Sequence, residues 1–162
     1  MGKTDVTATP GVPFIDVRRE FDAPRDLVYR AFTEPDLLVQ WLGPRKYEMV
    51  IDHYDVRENG SWRYVHRNAD AEWGFHGVFH GKPSIDGITQ TFEFEGAPGN
   101  VALDAVTFED KDGKTVVRTH SVYQTLEARD AMVAAGMAEG MNEGFDRLDE
   151  LLRRLATPVG AR

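Results

Sequence analysis

Two polar side chains stand where strand alternation asks for apolar ones, and they are the groups of this chain best placed to do chemistry. Arg19 follows Ile15 and Val17 in step, so it points inward beside Phe21. A guanidinium taken out of water must be paired. Either a carboxylate of the protein meets it, or it anchors an acidic ligand through its planar fork. His66 shares a strand face with Trp62 and Tyr64. There it either makes a structural hydrogen bond or exchanges a proton near neutral pH. The five histidines raise the question of a metal, and their spacing answers it. His76 and His80 lie four apart on one strand, about 13 Å from each other, whereas ligands hold an ion at about 2 Å. His53, His66 and His120 are remote from one another in sequence. No metal and no cofactor is expected. A G-x-S-x-G elbow, a phosphate loop and a dinucleotide glycine fingerprint are all missing from the sequence. The acidic pairs Glu127/Asp130 and Asp149/Glu150 read as solvated helix faces.

A second signal is a row of glycines four apart, Gly136, Gly140 and Gly144, interleaved with Met137, Met141 and Phe145. Glycine inside a helix costs about 1 kcal/mol against alanine, so the row gives up about 3 kcal/mol of propensity. Positions four apart drift only about 40° around the axis, and the three form one bare groove. The groove either leaves space open or lets another group nest against the backbone. Aromatic residues are abundant opposite it. Trp62 and Tyr64 share one strand face, Trp73, Phe75 and Phe79 another, and Phe92 and Phe94 a third with Ile88 and Gln90. They line a pocket with large apolar walls or fill an ordinary core, and alternation alone leaves both open.

These residues need elements to position them. Residues 1–13 are small, polar and proline-bearing and read as a flexible leader. Phe14 to Phe21 alternates as a half-buried strand. Asp22-Ala23-Pro24 opens a helix with a capping carboxylate and an early proline. Thr33-Glu34-Pro35 restarts a second short helix carrying Leu37, Leu38, Trp41 and Leu42, ended by Gly43-Pro44. From Lys46 to Tyr123 the period is two, with strands near 47–57, 61–67, 73–81, 87–95, 102–110 and 114–124. Turn residues such as Glu58-Asn59-Gly60 and Lys111-Asp112-Gly113-Lys114 separate them. Thr125 is the N-cap of one last helix, from about Glu127 to Leu155, and residues 157–162 form a tail. A sheet of about seven strands needs its apolar face covered, and the last helix is the long amphipathic element available. The result is an α+β fold in which a strongly curved antiparallel sheet wraps a C-terminal helix.

The 162 residues make one domain, 14–156, that can bury about 70% of its unfolded surface. A net charge of −8 and a pI near 5.1 argue against nucleic-acid or anionic-membrane partners. No apolar run reaches the ~20 residues of a membrane span, and the N-terminus shows no secretory pattern. The absence of cysteine rules out disulfides and thiolate sites and fits a cytoplasmic protein.

The order of elements and several motifs resemble the helix-grip (START-like, SRPBCC) superfamily, within it the branch named after the activator of the heat-shock-protein-90 ATPase. The motifs are Arg19-x-Phe21-x-Ala23-Pro24, Thr33-x-Pro35 to Trp41-x-Gly43-Pro44, and Asp55-Val56-Arg57 with Gly60-x-Trp62-Arg63-Tyr64. Then follow Val106-Thr107-Phe108 with Asp112-Gly113-x-Thr115, and Gly136-Met137-x-x-Gly140 running into Arg147-Leu148-x-x-Leu151-Leu152. The resemblance implies an internal cavity between sheet and last helix that holds an apolar or amphipathic small molecule. The eukaryotic activator carries an additional N-terminal chaperone-binding domain, and only a short leader precedes residue 14 here, so a chaperone partner is not expected.

The expected function is therefore non-catalytic binding of a small hydrophobic or amphipathic ligand, as carrier or sensor. The expected lining is Trp41, Trp62, Tyr64, His66, Phe75, Phe79, Phe92, Met137, Gly140 and Met141, with Arg19 as the buried charge. A polyketide cyclase- or hydrolase-like enzyme using the same cavity and a protein-interaction module are the alternatives. Exposed apolar strand residues or the Trp41 region could support a homodimer.

Overall fold

Antiparallel pairing organises the chain from end to end. The computed structural model describes residues 2–156; the tail expected over 157–162 lies outside them. The elements are β1 (Asp5–Thr7), β2 (Phe14–Phe21), α1 (Arg25–Thr33), α2 (Pro35–Leu38), β3 (Glu48–Tyr54), β4 (Ser61–Arg67), β5 (Glu72–Ser84), β6 (Gly87–Phe94), β7 (Val101–Lys111), β8 (Lys114–Val122), α3 (Leu126–Ala134) and α4 (Met137–Ala156). The strands form one sheet in the order β1-β2-β8-β7-β6-β5-β4-β3, every pair antiparallel. From β3 to β8 the connections are hairpins. The β7–β8 turn shows why: Asp112 and Gly113 both take positive φ (52° and 85°), the geometry whose twist matches the flanking strands.

Alternation in β2 is complete, with Ile15, Val17, Arg19 and Phe21 buried and the residues between them half-exposed. β2 and β3 lie far apart in the sheet order, so α1 and α2 cross from one to the other and close one end of the molecule. Trp41 Nε1 donates to the Ala31 carbonyl (2.9 Å), and the Tyr54 hydroxyl donates to the Phe32 carbonyl (3.1 Å). Among the described residues no helix is long and apolar enough to cross a membrane.

Four expectations are corrected. The leader contains a strand, β1, because three residues find the free edge of β2; Arg19 Nη1 to Thr4 Oγ1 (2.9 Å) and Arg129 Nη1 to the Thr9 carbonyl (2.8 Å) hold its flanks. With β1 the sheet has eight strands. Asp22 does not cap α1: the N-cap is Pro24 and makes no side-chain bond. α2 ends at Leu38, which leaves Trp41 and Leu42 in the turn beyond it.

The fourth correction concerns the last helix, which is two helices. Thr125 caps α3 as its sequence suggests, accepting from the Ala128 amide. At Gly136 the backbone turns left-handed (φ +86°) and the helix stops. Glycine just after a helix is its usual terminator, and that rule overrides the apolar periodicity running through Gly136. α4 then starts at Met137.

Candidate functional site

Strand β4 carries the first wall of the site. Trp62 stacks on Tyr64 (centroids 5.0 Å apart, 20° between planes), and Tyr64 stacks on His66 (5.3 Å, 23°). The ladder follows from placing aromatic rings at i, i+2 and i+4 on one pleated face. Phe75 of β5 packs on Tyr64 and His66 (5.7 and 5.4 Å), and Phe92 of β6 packs on Phe75 and Trp62 (5.3 and 5.9 Å). The structure thus brings together five of the expected residues on the concave face. Two polar atoms in this wall, Trp62 Nε1 and His66 Nε2, are buried without a hydrogen-bond partner among the described residues. Burial, with a smaller push from Arg147, lowers the His66 pKa to about 4, so the ring is neutral near pH 7. Burial also raises the Tyr64 phenol.

The second wall is polar and was not foreseen. Gln90, Asp104 and Ser121 are register partners on β6, β7 and β8, so their side chains lie abreast on the same inward face. Burial raises the Asp104 pKa to about 6, against the pull of its hydrogen-bonding neighbours Ser121 and Gln90. Burial, then the Asp104 charge, raises the Tyr123 phenol beside it. The signal was present in the sequence. Asp104 interrupts Ala102, Val106 and Phe108 as Arg19 interrupts Ile15, Val17 and Phe21.

Burial is uneven across the concave face. At the end closed by α1 and the C-terminal half of α4, Phe21 and Phe79 are 0% exposed and Phe108 is 2% exposed. Elsewhere on this face Phe75, Gln90, Phe92, Asp104, Ser121 and Tyr123 keep accessible surface although they face inward, whereas Trp62, Tyr64 and His66 are buried. Asp104 is half-buried, and loss of water dominates its electrostatics. The helix shows a gradient. Every fully buried residue of α4 lies at or after Gly144, while Met137, Gly140 and Met141 are half-buried.

The glycine row divides along this gradient. Gly136 ends a helix; Gly140 borders open space, since an added Cβ would meet nothing within 4 Å; Gly144 is a packing contact, its Cβ position lying 3.3 Å from Gly43 N and 3.4 Å from the Trp41 carbonyl oxygen. Gly43 has a left-handed backbone (φ +93°), and a Cβ there would run into the His66 ring. The loop is therefore clamped between His66 and α4, and Arg147 fixes it by donating to the carbonyls of Gly43 (2.9 Å) and Gln40 (3.1 Å).

Three expected residues lie elsewhere. Arg19, fully buried, bonds Asp146 (2.9 Å) and Asp149 (3.1 Å) on α4 as well as Thr4; only its Nε lacks a partner. The carboxylate alternative holds, and Arg19 is a strut between β2 and α4. Asp149, expected on a solvated face, is buried because it is that carboxylate. Trp41 stacks on Phe145 (6.1 Å) in the closed end, and Phe79 packs edge-on against Tyr54 (5.5 Å).

Among the described residues no three His, Asp or Glu side chains are grouped as metal ligands. His76 pairs with Glu93 and Glu95 on the outer face, where Arg63 also grips Glu95. His53 stands between Asp52 Oδ2 (2.9 Å) and Ser61 Oγ (3.0 Å), in the order of a hydrolytic relay, but all three are exposed on the outer face. A groove of about 490 Å³ also opens on the outer face, beside β1. His120, paired with Asp16 (2.6 Å), is among the residues that line it.

The sequence model of the family described as "Activator of Hsp90 ATPase homolog 1-like protein" matches residues 22–153. No curated protein matches significantly. Among solved structures, one from Rhodobacter sphaeroides is 24% identical with a TM-score of 0.86, over 94% of this chain and 99% of that one. One from Mycobacterium smegmatis is 22% identical with a TM-score of 0.85, over 96% and 98%. CalU16 from Micromonospora echinospora is 18% identical with a TM-score of 0.60, over 94% and 86%. At such identities the likeness is one of fold.

Proposed function

The chain belongs to the Activator of Hsp90 ATPase homolog 1-like family, and from that premise we propose that it binds a small amphipathic molecule beneath the first half of α4. The apolar body lies against Trp62, Tyr64, Phe75 and Phe92 and under Met137 and Met141. The polar end faces Gln90, Asp104 and Ser121. The observation that carries this reading is the unevenness of burial: inward Phe75, Gln90, Phe92, Asp104, Ser121 and Tyr123 keep accessible surface while Phe21, Phe79 and Phe108 have almost none. The unpartnered Trp62 Nε1 and His66 Nε2 support it, since buried polar groups in a finished core are nearly always paired. Methionines suit a roof that accepts varied shapes.

Catalysis is less well supported. A proton-transfer site needs two titratable groups within reach of one atom. His66 and Asp104 stand three strands apart and well out of register, since Asp104 lies level with Gln90 and Phe79 while His66 lies level with Trp73, and Arg19 is committed to α4.

Titration with the neutral fluorophore N-phenyl-1-naphthylamine tests the reading. We expect saturable one-to-one binding, weakened at least tenfold by Gly140→Leu in a protein that melts as the parent does. Absence of binding to the parent, or equal binding by a folded Gly140→Leu protein, refutes it. Native mass spectrometry of protein purified from its own host then looks for the natural occupant.

A further inference from the structure

Among the described residues the site contains one acid and no cation to meet it. Asp104 lies half-buried on the inward face, flanked by Gln90 and Ser121, with the neutral phenols of Tyr64 and Tyr123 near enough to feel its charge. Among the described residues each substantially buried guanidinium is engaged elsewhere. Arg19 holds Asp146 and Asp149, Arg129 holds Asp130 and the Thr9 carbonyl, and Arg147 holds the carbonyls of Gly43 and Gln40. His66 is neutral near pH 7 and lies three strands away. The flanking roof contributes methionines and a glycine. At the rim, Lys46 places its ammonium 5.3 Å from the Tyr47 ring, but it is exposed and points at that ring rather than into the site.

We propose that the preferred occupant is a cationic amine with an aromatic or alicyclic body, its ammonium held by Asp104 and its body by the Trp62–Tyr64–Phe75–Phe92 wall. This rests on the ligand-binding reading above and adds the charge of the ligand to it. A half-buried carboxylate lacking a counter-ion is stabilised by any cation that reaches it, and electron-rich ring faces attract the same cation. A carboxylate ligand would put two like charges into one low-dielectric space. Gln90 and Ser121 each offer a donor to one carboxylate oxygen and leave acceptor sites for the ammonium protons.

The test uses three probes of one shape: 2-naphthylmethylamine, 2-naphthylmethanol and 2-naphthoate, titrated calorimetrically at pH 7.5 into the parent and Asp104→Asn proteins. We expect the amine to bind the parent at least tenfold more tightly than the alcohol, and the carboxylate to bind most weakly. In Asp104→Asn the advantage of the amine over the alcohol should vanish. An alcohol or carboxylate that binds the parent as tightly as the amine overturns the proposal and leaves the ligand-binding reading standing. An amine preference that persists in Asp104→Asn overturns the role of Asp104. If none of the three binds, the ligand-binding reading falls with it. The parent comparison decides the ligand's charge by itself should the variant not fold.

Discussion

Replacing each helix-row glycine by alanine, one at a time, should give three different results. At Gly140 the added methyl meets nothing within 4 Å, so the helix keeps nearly all of the propensity gain, about 0.5–1 kcal/mol. The position lies inside α4, its amide already bonded to the Gly136 carbonyl (3.2 Å), so no terminal fraying discounts the gain. At Gly136 the backbone is left-handed at φ +86°, and an L-residue there costs roughly 1–2 kcal/mol. At Gly144 the same helix gain is opposed by contacts at 3.3 and 3.4 Å. Both opposing atoms are backbone, in a loop pinned by Arg147, and overpacking of this kind costs about 1–3 kcal/mol. The net at Gly144 is a loss of up to about 2 kcal/mol, the difference of those two effects.

Urea and thermal unfolding followed by circular dichroism measure all three. In a domain of this size about 1 kcal/mol moves Tm by roughly 2–4 °C, so Gly140→Ala should melt higher and the other two lower. A lower Tm for Gly140→Ala would refute the open space beneath the first half of α4. A Gly144→Ala protein as stable as Gly140→Ala would refute the close approach of helix and loop. Three equal shifts would mean that propensity alone governs the row.

Removing the Arg19 strut by Arg19→Met should destabilise by about 3 kcal/mol in denaturant titration, because buried Asp149 then keeps only Arg153, at 3.7 Å, as a partner; the added change Asp149→Leu should recover much of it. Asp104 titrates higher in the folded chain, about 6 against 3.8, so its folded state binds the proton more tightly. That contribution is fully present below pH 3.8 and is lost as pH rises through 6. Asp104→Asn should therefore stabilise at pH 7.5 by about 1–3 kcal/mol, and the gain should fade towards pH 4 in urea titrations across that range. His66 has the opposite sign: its folded pKa is about 4 against 6.5, so its contribution is present above pH 6.5 and lost as pH falls through 4. His66→Gln should flatten the acid limb of the same curve.

The fold was legible because its signals are local. Hairpin turns such as Asp112-Gly113, strict alternation from Ile15 to Phe21 and the cap at Thr125 each fix an element without reference to the rest. β1 was illegible because three residues carry no period, and only the free edge of β2 makes them a strand. The break at Gly136 was legible in principle, but a glycine after a helix and a glycine within one look alike when the apolar stripe continues. For the site, alternation grouped Trp62, Tyr64 and His66 on one face of β4 and Gln90 and Phe92 on one face of β6, without saying which face is concave. It could not say where along that face the packing stops, because that depends on which half of α4 lies opposite. Trp41 and Phe79 fell at the packed end for this reason.

Arg19 and Asp104 make that dependence concrete. Both interrupt an apolar alternation with a charge, so the same local rule places both on the inward face. What separates them is the helix. Its C-terminal half brings Asp146 and Asp149 to Arg19, and a buried ion with partners becomes structure. Its N-terminal half has Met137, Gly140 and Met141 in the corresponding inward positions, none of which can neutralise a carboxylate. The destabilised ionised form of Asp104 is then held in the fold by packing elsewhere, the arrangement expected where strain is retained at a functional site. One helix thus locks the sheet at one end and leaves a charge uncompensated at the other. A cation that fits between them should raise Tm as it binds.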